Sequence, residues 1–190
     1  MTSDRIRSAL SGYRPIELPI GDRVAAGVLI LLEGPPSAAR LVFQLRTHTV
    51  RHHRGEISFP GGRRDAADAS LLHTALRETH EEVGVPPDAV TVLGQLDDTT
   101  TMASNYLIRP FVGVVPEGVE ATVAARREVS ELLHVPLDHL LDPGSRVWKV
   151  VDRDGRAEAT PAYQFEEHVI WGATARMLGQ FLGLIEGVRA

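Results

Sequence analysis

The longest strongly apolar run in the chain is Ala25 to Leu32, closed shortly afterwards by Gly34-Pro35-Pro36. It is far shorter than the ~20 residues that a bilayer-spanning helix requires. Arg23 to Leu32 therefore reads as a buried strand, with Leu41 to Arg46 as its hairpin partner. With 190 residues and a mass of 20.7 kDa, the chain holds one domain with extras, or at most two small ones. Residues 1–22 read as an N-terminal helix and extension, and residues 23–190 as the domain proper.

The remaining elements follow from period and punctuation. Residues 3–11 form a short helix, followed by a loop around Pro15 and Pro19. The clearest helix spans about 69–83, with Leu72, Ala75, Leu76, Thr79 and Val83 at helical spacing. Asp68 or Ser70 caps its start, Gly84 stops it, and Pro86-Pro87 prevent resumption. Val90 to Leu96 and Tyr106 to Val115 read as strands flanking a polar loop. Residues 128–142 combine a short strand with a helical turn after Pro136. Arg146 to Val151 and Ala157 to Gln164 form a hairpin turning at Asp152-Arg153-Asp154-Gly155. Trp171 to Val188 is a closing helix with Met177, Leu178, Phe181, Leu182 and Ile185 inward. Strands and helices mix without a regular βαβ rhythm, so the class is mixed α/β, with a mixed sheet between helices.

Composition excludes several functions. Without cysteine, thiol catalysis, Cys-ligated zinc and iron–sulfur chemistry are closed. A formal charge of −5 speaks against a general nucleic-acid binder. The polar N-terminus has no signal-like apolar segment after it, and the lack of cysteine fits a reducing compartment. The expectation is a cytoplasmic protein with no membrane partner and no nucleic-acid partner; a homodimer stays open.

The most informative stretch is Arg77-Glu78-Thr79-His80-Glu81-Glu82-Val83-Gly84. At ~100° per residue, Glu78 and Glu82 lie about 40° apart, and Glu81 about 60° to the other side. Three carboxylates thus share one sector at the rim of the apolar stripe. Like charges at i,i+4 cost roughly 0.2–0.5 kcal/mol, and acids in a helix's last turn oppose its dipole. Arg77 offsets Glu81 only in part. A solvated acidic face can carry such a pattern, but a cluster that breaks local rules suits a hard dication such as Mg²⁺ or Mn²⁺.

Two neighbouring features point the same way. Gly61-Gly62, after Phe59-Pro60, permits a tight turn and close approach to a ligand. Arg46, His48, Arg51, His52, His53 and Arg54 form a basic stretch without an acid, a local positive field suited to phosphate oxygens.

Together these residues resemble the Nudix hydrolase family. Its box runs Gly, five residues, Glu, seven residues, then Arg-Glu-x-x-Glu-Glu-x-Gly, and Gly62, Asp68, Arg77, Glu78, Glu81, Glu82 and Gly84 fall on that frame. Asp68 replaces the usual Glu, eight residues rather than seven separate it from Arg77, and Thr79 replaces an aliphatic residue. The first two departures leave Asp68 without an assigned role. Just upstream, Arg46, Thr47, Arg51, Gly55, Phe59, Pro60, Gly61 and Gly62 are similar to a signature of the coenzyme A-directed branch, with Thr47 where Ser or Ala is usual. Ile170-Trp171-Gly172-Ala173-Thr174-Ala175 is similar to that branch as well.

The resemblance implies a Nudix fold, a mixed sheet sandwiched between helices. It also implies metal-dependent hydrolysis of the diphosphate of coenzyme A or an acyl-CoA. Glu78 and Glu82 would bind Mg²⁺ or Mn²⁺, with Glu81 helping to bind metal or water. Arg77 would orient the carboxylates, Arg46 and Arg51 would meet substrate phosphates, and Gly61 and Gly62 would shape the loop beneath the diphosphate. The general base stays open among Glu81, Glu117, Glu120, Glu128 and Glu131. Competing readings are a Nudix enzyme for ADP-ribose, NADH or a nucleoside triphosphate, a catalytically silent binding module, and an RNA-associated protein using the Arg/His run.

Overall fold

The computed structural model describes residues 3–47, 56–101, 104–153 and 155–187. Helix α1 is Ser3–Ser11, and strands β1 and β2 are Val24–Glu33 and Arg40–Arg46. Two short strands follow, β3 at Ile57–Ser58 and β4 at Gly61–Arg63, before helix α2 at Leu71–Val83. Strands β5 (Thr91–Gln95), β6 (Thr99–Thr100), β7 (Tyr106–Val114) and β8 (Val129–Pro136) lead to the short helix α3, Leu137–Leu141. Strands β9 (Arg146–Arg153), β10 (Arg156–Phe165) and β11 (His168–Ile170) precede helix α4, Gly172–Glu186.

Eight strands form a mixed sheet, and β9, β10 and β11 form a separate antiparallel one. The apolar run lies at the centre of the large sheet, where β1 runs parallel to β7 from Val24 beside Tyr106 to Leu32 beside Val114. Its side chains alternate between two cores, as a pleated strand covered on both faces must. Leu29 and Leu31 pack with Leu71, Ala75 and Val83 of α2, while Val28, Ile30 and Leu32 pack with residues of α1 and α4. The expected sandwich of a mixed sheet between helices is the observed architecture. Ile6 and Leu10 of α1 are buried in the α4-side core. Tyr13 hydrogen-bonds Asp97 at 2.7 Å, and the Leu18 N–H donates to Asp98 at 2.8 Å, fastening the segment after α1 to the sheet. Among the described residues no helix is long and apolar enough to cross a membrane.

Several expectations need correction. The β1–β2 hairpin is closed only near its tip, at Leu32 opposite Leu41 and Glu33 opposite Arg40. Further back, the same edge of β1 is taken by β4, with Ala26, Gly27 and Val28 opposite Arg63, Gly62 and Gly61. Strand β2 pairs instead along β8, from Arg40 opposite Pro136 to Arg46 opposite Val129. Gly61-Gly62, expected as a turn, is thus part of a strand. Helix α2 begins at Leu71, and its cap is Ser70, whose hydroxyl accepts the His73 N–H at 3.1 Å. Asp68 is not the cap. Gly84 ends α2 as expected, its N–H bonded to the His80 carbonyl. In α4 the five residues expected inward are all buried, and Gly187 caps the helix after Glu186; Val188 lies outside the described residues.

The first turn of α2 lies directly against β1. A Cβ on Gly27 would sit 2.1 Å from the Leu71 carbonyl oxygen and 3.1 Å from the Ala75 nitrogen. Both are backbone atoms that cannot step aside without moving the helix. Gly27→Ala is therefore expected to destabilise the fold by about 3 kcal/mol, the upper range for an overpacked core. Urea unfolding measures this, and an unchanged midpoint would show that the helix is not held so closely.

Candidate active site

The helix-borne carboxylates do not share one environment. Glu82 is only 3% exposed. Glu78 has a side chain 19% exposed and Glu81 one 56% exposed, so burial is graded across the cluster. Arg77 sits between them. Its Nη1 lies 2.9 Å from Glu78 Oε1 and donates to Glu81 Oε2 at 3.1 Å. The poorer Arg-before-Glu order still yields a bond, because the guanidinium is held from behind by Asp68.

That hold is the role the sequence left open for Asp68. Arg77 Nε donates to Asp68 Oδ1 at 3.0 Å and Nη2 to Oδ2 at 2.9 Å, a two-pronged pair. The Asp65 N–H and the Thr74 hydroxyl also donate to Asp68, each at 2.9 Å. The Arg77 hydrogen bonds, opposed by desolvation, hold the Asp68 carboxyl well below the usual carboxylate range. The same pairing raises Arg77 above its ordinary value.

Glu82 turns beneath the helix toward β2 and β4. Its Oε2 accepts the Gly61 N–H at 2.8 Å and Gln44 Nε2 at 2.9 Å, and Arg46 Nη1 lies 3.6 Å from Oε1. Burial pushes the Glu82 carboxyl up to about 7, against the opposing pull of Gly61, Arg46 and Gln44. Burial also raises Glu78, and repulsion from Glu81 and Glu128 adds to it, while Arg77 works in the opposite direction. The glycines are required by this arrangement. Gly61 has φ of 145°, and a Cβ there would meet the Gly27 carbonyl oxygen at 2.4 Å; a Cβ on Gly62 would fall 2.6 Å from the Glu78 carboxylate carbon. They approach the carboxylates and β1 more closely than any side chain permits.

Arg46, Gly61, Gly62, Glu78, Glu82 and Glu128 line one end of a cleft of about 1520 Å³. Among the described residues no three acidic or histidine side chains converge as a ready-made metal cage. Glu81 is turned outward onto Arg77, and Glu82 is turned inward onto Gly61. Glu78 and Glu82 nevertheless offer hard oxygen donors whose charge is unfavourable in place, the chemistry a small dication relieves. Gln44 Oε1, on the amide that donates to Glu82, is buried without a hydrogen-bond partner.

Of the downstream acids, Glu128 lines the cleft, with its Oε2 4.0 Å from Arg46 Nη2. Glu120 instead pairs with Arg40 at 3.0 Å. Arg51 lies outside the described residues, as do His48, His52, His53 and Arg54. Thr47 fixes the end of the loop before β8, its N–H donating to the Glu128 carbonyl at 2.8 Å and its hydroxyl to the Arg127 carbonyl at 2.9 Å.

Glu33 is the residue that sequence reasoning missed. It is fully buried and meets Arg40 at 2.9 Å and His134 at 2.6 Å, and it accepts the Ala121 N–H at 3.0 Å. Burial works to raise its carboxyl, but hydrogen bonds from His134 and Ala121 outweigh that and lower it. Its only signal in the sequence is an acid directly abutting the apolar run.

Asp68 yields a test. A carboxyl lowered in the folded state contributes stability that is present above its unfolded value, about 3.9, and lost progressively as pH falls below it. Asp68→Asn is therefore expected to cost about 2–4 kcal/mol at pH 7. The gap from the unsubstituted protein should narrow between pH 4 and pH 3. Chemical denaturation across that range measures it, and a gap independent of pH would remove the ionised Asp68–Arg77 pair as its source.

Comparison with known proteins agrees with this geometry. Residues 21–112 match the model of the NUDIX domain. A protein named uncharacterized Nudix hydrolase NudL from Photorhabdus laumondii is 36% identical over 166 residues, covering 87% of each chain. One of the same name from Yersinia enterocolitica is 36% identical over 153 residues, covering 80% of this chain and 77% of its own. Among solved structures, a MutT/nudix family protein from Enterococcus faecalis superposes with a TM-score of 0.58 at 12% identity, covering 94% of this chain and 67% of that one. A NUDIX hydrolase from Alicyclobacillus acidocaldarius gives 0.55 at 16% identity, covering 88% of this chain and 97% of that one. These two likenesses concern the fold. With relatives this similar along most of both chains, the protein belongs to the Nudix hydrolase family.

Proposed function

We propose that the protein hydrolyses the diphosphate bond of coenzyme A or an acyl-CoA, releasing adenosine 3′,5′-bisphosphate and (acyl-)4′-phosphopantetheine. The observation that carries this reading is the part of the cleft where Glu82 meets Arg46 and the Gly61 N–H, with Glu78 and Gly62 in the same wall. Arg46 and this glycine pair belong to the segment similar to the coenzyme A-directed branch.

In this reading Glu78 and Glu82 would hold Mg²⁺ or Mn²⁺, with Glu81 assisting once it leaves Arg77. Such an ion would supply charge neutralisation at the diphosphate and acidify a water. The protein's own groups do the rest. Arg77, anchored by Asp68, restrains Glu78 and Glu81 through charge-assisted hydrogen bonds. Gly61 keeps Glu82 oriented through its N–H, and the absence of a side chain on Gly62 leaves room over Glu78. Arg46 shifts from Glu82 and Glu128 toward a phosphate oxygen. Glu128, in the cleft and not committed to Arg77, is better situated than Glu81 to take the proton from the attacking water. Arg51 would add a second positive charge for the phosphates.

The test is product analysis with coenzyme A, an acyl-CoA and ADP-ribose side by side, with and without Mg²⁺ or Mn²⁺. The expected products are the bisphosphate and phosphopantetheine, formed only with metal. Glu82→Gln should lower kcat by about 100-fold or more, since losing a metal carboxylate forfeits several kcal/mol of charge stabilisation. Arg46→Ala should lower kcat/KM for coenzyme A by about 10- to 100-fold, and that for ADP-ribose, which shares the diphosphate, by a similar factor. Cleavage of ADP-ribose in preference to coenzyme A would refute the substrate assignment; undiminished turnover by Glu82→Gln would refute the metal assignment.

A further inference from the structure

The cleft is larger than a diphosphate requires, since whole drug-sized ligands fit pockets of about 300–1,000 Å³. Its wall also includes Val151 and Asp152 of β9, Thr160 of β10 and Trp171 just before α4. Lys149 adjoins this wall. It is the register partner of Thr160, stands on the same face of β9 as Val151, and holds its Nζ 5.2 Å from the centre of the Trp171 ring. Lys149 is the chain's only lysine, and acids outnumber Lys and Arg by 25 to 20. Among the described residues it nevertheless meets no carboxylate; its contact is the indole.

Two features of this corner bear on a ligand. An indole in a cleft wall offers a flat apolar face on which a purine stacks, worth about 1–3 kcal/mol per base. A cation held over that indole by ring attraction rather than by a carboxylate keeps its charge available to an incoming anion. The acidic end of the cleft has its own means of meeting a diphosphate. A second anion-seeking group beside an aromatic wall therefore matches a nucleotide that carries a further phosphate on its ribose.

We propose that Trp171 and Lys149 form the nucleoside subsite of the cleft, the indole taking the purine ring and the lysine ammonium a ribose phosphate. This deepens the coenzyme A reading and rests on it for the identity of the substrate, because coenzyme A carries such a phosphate and ADP-ribose does not. Lys149 is then a specificity residue, remote from the bond that breaks.

The test uses binding, so it does not depend on turnover. The chain has two tryptophans, and Trp148→Phe leaves Trp171 as the only indole. In that background, adenosine 3′,5′-bisphosphate and adenosine 5′-monophosphate are titrated by fluorescence. The bisphosphate is expected to quench Trp171 and to bind about tenfold or more tightly than the monophosphate. Lys149→Gln should reduce that preference to about one by weakening the bisphosphate alone, and Lys149→Arg should keep most of it. Trp171→Ala should raise KM for coenzyme A with kcat little changed, with Trp171→Phe intermediate. Absence of quenching, or equal effects of Lys149→Gln on both nucleotides, overturns the proposal even if coenzyme A is hydrolysed. The expected preference without coenzyme A hydrolysis would support the subsite and overturn the substrate reading.

Discussion

The centre of this molecule is a carboxylate kept where water scarcely reaches. Glu82 joins three elements at once: it belongs to α2, accepts the Gly61 N–H of β4, and meets Gln44 and Arg46 of β2. Desolvating an acid is unfavourable, and its displacement to about 7 records that cost. The surrounding geometry is arranged around the cost. Strand β4 occupies the edge of β1 that β2 vacates, which aligns the Gly61 N–H with Glu82. Gly27 lets α2 come down far enough onto β1 for the carboxylate to reach it.

A second network keeps the first in position. Asp68, held by the Asp65 N–H and the Thr74 hydroxyl with His73 Nδ1 3.1 Å away, takes Arg77 Nε and Nη2, which leaves Nη1 for Glu78 and Glu81. The two carboxylates lowered in the fold, Asp68 and Glu33, are structural anchors saturated with donors. The two raised ones, Glu78 and Glu82, line the cleft and are under-compensated. That division separates acids saturated with donors from under-compensated acids of the cleft on physical grounds, independent of any motif.

The sequence made long elements and their faces legible. Helix α2, its glycine stop and the inward residues of α4 follow from a 3.6-residue period, and β1 follows from an unbroken apolar run. Helical spacing also brought Glu78, Glu81 and Glu82 together on one sector. Spacing has no information about depth, however, so it could not distinguish a buried Glu82 from an outward Glu81. The difference arises from β4, a three-residue strand that exists only because β1 offers it an edge. The same holds for β3 and β6, too short to show any period of their own. Asp68 looked like a cap because it precedes a helix, and only tertiary placement of Arg77 reveals its use. Glu33 was hidden because its partners are 7, 88 and 101 positions away, at Arg40, Ala121 and His134.

The segment linking β7 to β8 is tied down repeatedly, beginning with Glu120 on Arg40. Glu33 takes the Ala121 N–H, the carbonyls of Val83 and Glu82 take those of Thr122, Ala124 and Ala125, and Thr47 grips Arg127 and Glu128. It therefore behaves as a bridge on fixed piers, with Glu128 at its last support. Exposed Glu117 and Gly118 lie ahead of the first pier, and there residues can be added or removed without moving the far end. Between Ala121 and Glu128 a single insertion would shift the acid's reach into the cleft, so this span has slack only on its near side.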